Sequence, residues 1–86
     1  MIQISYIPFT LGKHPGLSDA CIDRPTVSRL HARIDQKEGV YILTDLNSTN
    51  GTSVNGYPLQ ANETVSLGTG DSIYFADVGY KFWEHR

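Results

Sequence analysis

The sequence holds a single cysteine, Cys21, with no second thiol to pair with it. That excludes an internal disulfide, and with it the usual frame of a small oxidised secreted protein. Between Ala20 and Ile22, Cys21 reads as a small buried hydrophobe rather than a reactive thiol. No apolar run approaches the roughly 18 residues that a membrane-crossing helix requires. No basic-then-apolar start resembles a signal peptide, so the expected compartment is the cytoplasm. Helix signals are nearly absent: no stretch of about 12 residues sustains apolar side chains at helical spacing. Three histidines and one cysteine, at the spacings found, make no metal site. Gly68-Thr69-Gly70 lacks the full nucleotide-loop motif and the helix that follows it, and reads as a turn. No metal and no cofactor is expected, and nothing calls for a membrane.

What is present fits one small β domain. The chain has 86 residues, of which 40% are hydrophobic, enough for one modest core. The net charge is −2, which argues against a general nucleic-acid binder. The charges are unevenly spread. Residues 1–34 carry Lys13, Arg24, Arg29 and Arg33 against Asp19 and Asp23, a net of +2. Residues 35–86 carry Lys37, Lys81 and Arg86 against seven carboxylates, a net of −4. A local basic patch on an acidic body suits a small anionic ligand better than a long polyanion.

Strand signals recur throughout. Ile2, Ile4 and Tyr6 alternate with polar residues, as do Ala32 and Ile34, Ile73 and Phe75, and Tyr80 and Phe82. Phe9-Thr10-Leu11 and residues 40–44 have strand composition as well. Turn signals separate them: His14-Pro15-Gly16, Arg24-Pro25, Glu38-Gly39, Asn50-Gly51, Asn55-Gly56 and Val78-Gly79. Short strands at this spacing indicate an antiparallel sandwich or barrel. Two segments break the pattern. Residues 12–30 hold only the short apolar run Ala20-Cys21-Ile22, and residues 45–56 are mostly small and polar. Irregular segments on a rigid scaffold are where binding sites concentrate.

These two segments contain what a phosphate monoester needs. Such a group carries about −1.5 to −2 charge and three acceptor oxygens. It calls for cations, hydroxyls and free backbone N–H groups. Lys13, Ser28, Arg29, Ser48 and Thr49 offer these, and the Asn50 amide can both donate to and accept from a peptide main chain.

The order of these residues is similar to that of the forkhead-associated (FHA) domain. It runs Gly12-Lys13, Ser28-Arg29-Leu30-His31-Ala32, then residues 45–52 (Asp-Leu-Asn-Ser-Thr-Asn-Gly-Thr), Val54-Asn55-Gly56 and Gly70-Asp71. Alone, an Asn-Gly or a Ser-x-x-His would say little; five elements in register, spread from about Phe9 to Phe82, say much more. The resemblance implies an all-β sandwich of about eleven strands, with a peptide site on loops at one end. It also implies recognition of phosphothreonine in a partner protein that a Ser/Thr kinase has modified. Carried over residue by residue, Ser28 would bond the phosphate through its hydroxyl and backbone. Thr49 would contact the phosphate beside a pocket for the threonine methyl, and Arg29 would contact phosphate or peptide. Asn50 would bond the peptide main chain. Gly51 would make the tight turn, His31 would brace the loops from inside, and Gly12 would support Lys13. Ser48 is a further candidate.

One residue departs from the family pattern, which usually has Gly-Arg where this chain has Gly12-Lys13. Arginine forks onto two phosphate oxygens, whereas lysine is a flexible point charge. Binding is expected to survive and to be weaker by about 1 kcal/mol. Thr26, two residues before Ser28, carries no charge with which to select flanking residues.

Plainer readings stand beside these. Ser28, His31 and Asp45 could be mistaken for a catalytic triad, but a Ser and a His three apart on a strand-entry loop need not face each other. No enzyme is expected. Asn50-Gly51 and Asn55-Gly56 are both type I′ turn signals. Asn47, Asn50 and Asn62 match the glycosylation pattern by accident. His14 is a surface loop residue, His85 lies where a linker could begin, and Tyr80 and Trp83 are read as core or edge packing. The chain is expected to be one domain over residues 1–86, a piece of a longer protein, and a monomer when isolated. The rival to phosphopeptide recognition is the same fold binding its partner without phosphate.

Overall fold

The computed structural model describes residues 2–84, so His85 lies outside the described residues. Nine strands form among them: β1 (Phe9–Gly12), β2 (Ala20–Cys21), β3 (Ala32–Lys37), β4 (Val40–Asp45), β5 (Thr52–Val54), β6 (Tyr57–Pro58), β7 (Thr64–Leu67), β8 (Ser72–Phe75) and β9 (Val78–Lys81). They build two sheets, ordered β2-β1-β3-β4-β7 and β6-β5-β8-β9. Every pairing is antiparallel except the short parallel ladder of β2 on β1.

The period of two along each strand decides what lies between the sheets. Phe9, Leu11, Ala32, Ile34, Leu43 and Leu67 point inward from the first sheet, and Val54, Ile73 and Phe75 from the second. Thr10, Arg33 and Asp35 alternate outward, where Arg33 and Asp35 form an ion pair at 2.7 Å. Loop residues Ile22, Val27 and Leu59 complete the core, so the loops are anchored by burial as well as by hydrogen bonds.

Turn chemistry follows the backbone. Glu38-Gly39 and Asn55-Gly56 both take positive φ at each residue, as a type I′ hairpin requires. Asn50-Gly51 does not: only Gly51 is left-handed, at φ +89. Asn50 instead keeps an ordinary backbone and turns its side chain toward a neighbouring loop.

Five sequence expectations change, the first being that Val78-Gly79 opens β9 and the turn falls just before it, at Ala76 and Asp77. Nine strands, not about eleven, form among the described residues. The alternating residues 2–5 take no strand pairing, although Ile2 and Ile4 do pack on the core. Alternation reports which way side chains face, not whether a ladder forms: residues 2–5 bury one face without pairing, although β9 ends the second sheet with an open edge. Cys21 is exposed rather than buried, because Ile22 takes the inward position beside it. Trp83 lies beyond the last strand with 69% of its surface exposed, so it is not core packing. No helix among the described residues is long and apolar enough to cross a membrane.

Candidate functional site

The site begins with a glycine at a backbone contact too close for a side chain to fit without a shift. A Cβ on Gly12 would lie 2.2 Å from the Arg29 carbonyl oxygen and 2.9 Å from the Leu30 Cα. This close approach lets the loop between β2 and β3 lie along the end of β1. The Lys13 N–H donates to the Ser28 carbonyl at 2.9 Å, and the His14 N–H to that of Arg29 at 3.1 Å. The His31 N–H donates to the Leu11 carbonyl at 2.9 Å. Lys13, Ser28 and Arg29 are thus held side by side from separate parts of the chain.

His31 joins this pair of segments to a third. Its side chain is fully buried, at 0% exposure, with its ring edge-on to Phe75. Nδ1 accepts the Ser28 N–H at 3.0 Å, and Nε2 lies 2.8 Å from the Gly51 carbonyl oxygen. A carbonyl only accepts and a backbone N–H only donates, so the ring is neutral with its proton on Nε2. His31 therefore sits in the scaffold beneath the loops. The Ser28 N–H is already committed to it, which leaves the Ser28 hydroxyl, not its backbone, to meet a ligand.

The loop between β4 and β5 has its own floor, Asp45, which is 3% exposed. Its carboxylate accepts the Ser48 hydroxyl, the Ser48 N–H at 3.2 Å and the Thr52 hydroxyl at 2.7 Å. Ser48 Oγ in turn accepts the Gly51 N–H at 3.1 Å. This is an Asx-type turn, and it uses Ser48 as an internal brace, with its hydroxyl proton already spent. Thr49, next in the chain, is exposed, and its N–H donates to Ser28 Oγ at 2.9 Å. That bond couples the two hydroxyl-bearing loops and leaves the Ser28 proton and the Thr49 hydroxyl without partners among the described residues.

Asn50 is oriented with equal economy. Its Nδ2 donates to the Thr26 carbonyl at 2.7 Å, which assigns the amide's two ends and leaves Oδ1 and one N–H of this exposed residue without partners among the described residues. The Thr26 hydroxyl donates to Asp77, in the turn between β8 and β9. The Asp77 carboxyl is held below its ordinary value, first by the Thr26 bond and in smaller part by the Arg24 charge.

The electrostatics follow from the pairing. Arg33 and Asp35 form the one ion pair among the described residues, so Lys13 and Arg29, both exposed, meet no carboxylate within 4.0 Å. Two free cations, two free hydroxyls and the unpartnered Arg29 N–H lie on adjoining loops. Such a set suits a compact anion with several acceptor oxygens. The same geometry is no catalytic triad. His31 meets the Ser28 backbone and not its hydroxyl, and the Asp45 oxygens are taken by Ser48 and Thr52. Among the described residues, no three His, Cys, Asp or Glu side chains gather to hold a metal ion.

The family model for the FHA domain matches residues 9–76. The chain belongs to the FHA-domain family. The oxoglutarate dehydrogenase inhibitor of Corynebacterium diphtheriae is 42% identical to this FHA domain over 75 residues, covering 87% of this chain and 50% of its own. The chain spans about half the length of the curated relatives it matches first. One solved structure, from a structural and functional study of phosphothreonine-dependent FHA domain interactions, superposes with a TM-score of 0.87. It is 30% identical and covers 99% of this chain and 84% of its own. The N-terminal FHA domain of S. cerevisiae Rad53p, in complex with a phosphothreonine peptide, superposes with a TM-score of 0.68 at 34% identity. That match covers 76% of this chain and 52% of the other.

Of the motif residues, Gly12, Lys13, Ser28, Arg29, His31 and residues 45–52 fall on this loop cluster or directly under it, whereas Asn55 and Asp71 hydrogen-bond each other at 2.9 Å toward the far end of β5 and β8. The sequence reading missed two parts of the cluster. In the sequence Asp45 stands as the first residue of the motif run and as a rejected triad member, not as the floor of its loop, although an Asp three residues before a Ser is a recognisable turn signal. Asp77 lies 51 residues from Thr26 in the chain, and no local pattern joins them.

Proposed function

We propose that this FHA domain binds threonine-phosphorylated segments of partner proteins and so mediates phosphorylation-dependent association, without catalysis. The observation that carries the reading is the set of unpartnered donors on adjoining loops: the Lys13 ammonium, Ser28 hydroxyl, Arg29 guanidinium and N–H, and Thr49 hydroxyl. In this reading these groups hold the phosphate, and the unpartnered Oδ1 and N–H of Asn50 hold the peptide main chain. The FHA domains solved with phosphothreonine peptides support it.

The loops are braced before any ligand arrives, by His31 from within and by the Ser28–Thr49 and Asn50–Thr26 bonds at the surface. Little ordering is then required on binding, which favours affinity. Lys13 supplies a point charge where an arginine would fork, a loss of about 1 kcal/mol. A dissociation constant in the micromolar range, roughly −8 kcal/mol, is expected. Fluorescence anisotropy with matched phosphothreonine, phosphoserine and threonine peptides tests the reading. Phosphothreonine should bind best and plain threonine not measurably. Equal binding of all three would favour a phosphate-independent partner.

A further inference from the structure

Thr26 is the point where three loops meet, and its carbonyl and its hydroxyl proton are both taken. The turn that contains it closes through the Val27 N–H donating to the Arg24 carbonyl at 3.1 Å, with Pro25 setting the backbone angle. Its carbonyl receives the Asn50 amide at 2.7 Å, and its hydroxyl donates to Asp77 Oδ1. Thr26 therefore has no free hydroxyl proton to offer a peptide that runs over Asn50. The free group beside it is the second carboxylate oxygen of Asp77.

Asp77 is also held in place. It sits in the two-residue turn between β8 and β9, beside Ala76, whose N–H donates to the Gly51 carbonyl at 2.9 Å. That bond fastens the β8–β9 turn to the same loop that carries Thr49 and Asn50. Asp77 is exposed and ionised at neutral pH like any free aspartate, and the Thr26 bond fixes where that charge sits. Its neighbour Arg24 is exposed too and lies close enough to help hold the Asp77 carboxyl down, yet it makes no ion pair with it within 4.0 Å. The Asp77 carboxylate is fixed by the Thr26 bond, whereas the exposed Arg24 guanidinium has no hydrogen bond among the described residues, so the ligand meets the fixed charge in one place and the other is screened by solvent.

Resting on the phosphothreonine reading above, we infer that Asp77 sets a charge preference: the domain favours phosphothreonine peptides bearing Lys or Arg where the chain passes Asn50 and Thr26, and disfavours Asp or Glu there. The site is then bipolar. Lys13 and Arg29 attract the phosphate at one side, and Asp77 selects the peptide flank at the other. A tract of acidic residues around the phosphothreonine, which the two cations alone would welcome, is rejected at this position.

The test is a charge scan. Phosphothreonine peptides with an all-alanine flank are compared by anisotropy with versions carrying a single Lys or a single Glu at each flanking position. Wild type should show one side on which Lys binds about threefold or more better than Glu, the size expected of a solvated ion pair. Asp77→Asn keeps an oxygen to accept the Thr26 hydroxyl and removes the charge, so the Lys-to-Glu ratio should fall to near one. Asp77→Lys should invert it. The ratio is read within each variant, so a general loss of affinity does not confuse it. Equal binding of Lys and Glu peptides by wild type, a preference for Glu, or a ratio that survives Asp77→Asn overturns the inference while leaving phosphothreonine binding intact. Failure of the alanine-flanked phosphopeptide itself to bind overturns the underlying function and this inference with it.

Discussion

At the scale of single residues, the site separates side chains that hold a ligand from side chains that hold the loops. Ser28, Thr49 and Asn50 are at the surface with free hydrogen-bonding groups, whereas His31 and Asp45 are buried with theirs spent. The two classes should respond differently to truncation. Ser28→Ala or Asn50→Ala removes one loop hydrogen bond, a stability change of about 1 kcal/mol. Each should weaken phosphopeptide binding at least tenfold, the loss of one charge-assisted or bidentate contact. His31→Ala leaves the Ser28 N–H unpartnered, takes one of its two donors from the Gly51 carbonyl and opens a void against Phe75. It should cost on the order of 3 kcal/mol in stability, measured by urea unfolding. The ligand-facing residues were legible in the sequence because their order is that of a known motif. The Ser28 N–H was not, since nothing in a linear Ser-x-x-His says which of the serine's donors the imidazole will take.

At the scale of elements, the decisive contact is backbone on backbone. The end of β1 and the loop before β3 touch at Gly12, with no space for a methyl group. Gly12→Ala must push the Arg29–Leu30 backbone away, at a cost of about 1–3 kcal/mol. It should also separate Lys13 from Ser28, so phosphopeptide affinity should fall by more than Ser28→Ala alone would produce. Thermal unfolding and anisotropy on the same variant check both effects. Most strands could be read from alternation, and the Asn55-Gly56 hairpin from its turn residues. Residues 2–5 show where that method ends: their pattern names the face that packs on the core, but it does not say whether the segment joins a ladder. The Thr26–Asp77 bond was equally hidden, because sheet topology, not sequence proximity, brings the β8–β9 turn beside the β2–β3 loop.

At the scale of the whole molecule, exposed carboxylates tie down loops and set the acid limit of stability. The Asp19 carboxyl is lowered below its ordinary 3.8 chiefly by the Tyr6 hydroxyl and then by Thr10. Asp71 is lowered chiefly by the Gly68 N–H and then by Asn55, and Asp77 chiefly by Thr26. A carboxyl lowered on folding stabilises the protein above its unfolded value, and that contribution is lost as pH falls through the folded one. Tyr6 and Tyr57 are raised above 10.0 by their bonds to Asp19 and Glu63. Their contribution is present below the unfolded value and is lost as pH rises through the folded one. The part of the melting temperature that these five groups contribute should therefore stay flat from about pH 5 to 9 and decline outside that range, gently because these groups are little buried. Ligand binding should follow a different pH course. It should weaken as pH falls through about 6, where the phosphate takes up a proton and loses charge opposite Lys13 and Arg29.

The central claim, that an anchored phosphothreonine sits on this loop cluster, is tested most directly by amide chemical shifts. A labelled sample is titrated with a phosphothreonine peptide and, separately, with its unphosphorylated form. The account predicts large shifts confined to Lys13, Ser28, Arg29, Thr49 and Asn50 and their immediate neighbours, saturating with the phosphopeptide alone. Shifts clustered on the outer face of the second sheet, around Ser53 and Tyr74, or identical responses to both peptides, would contradict it.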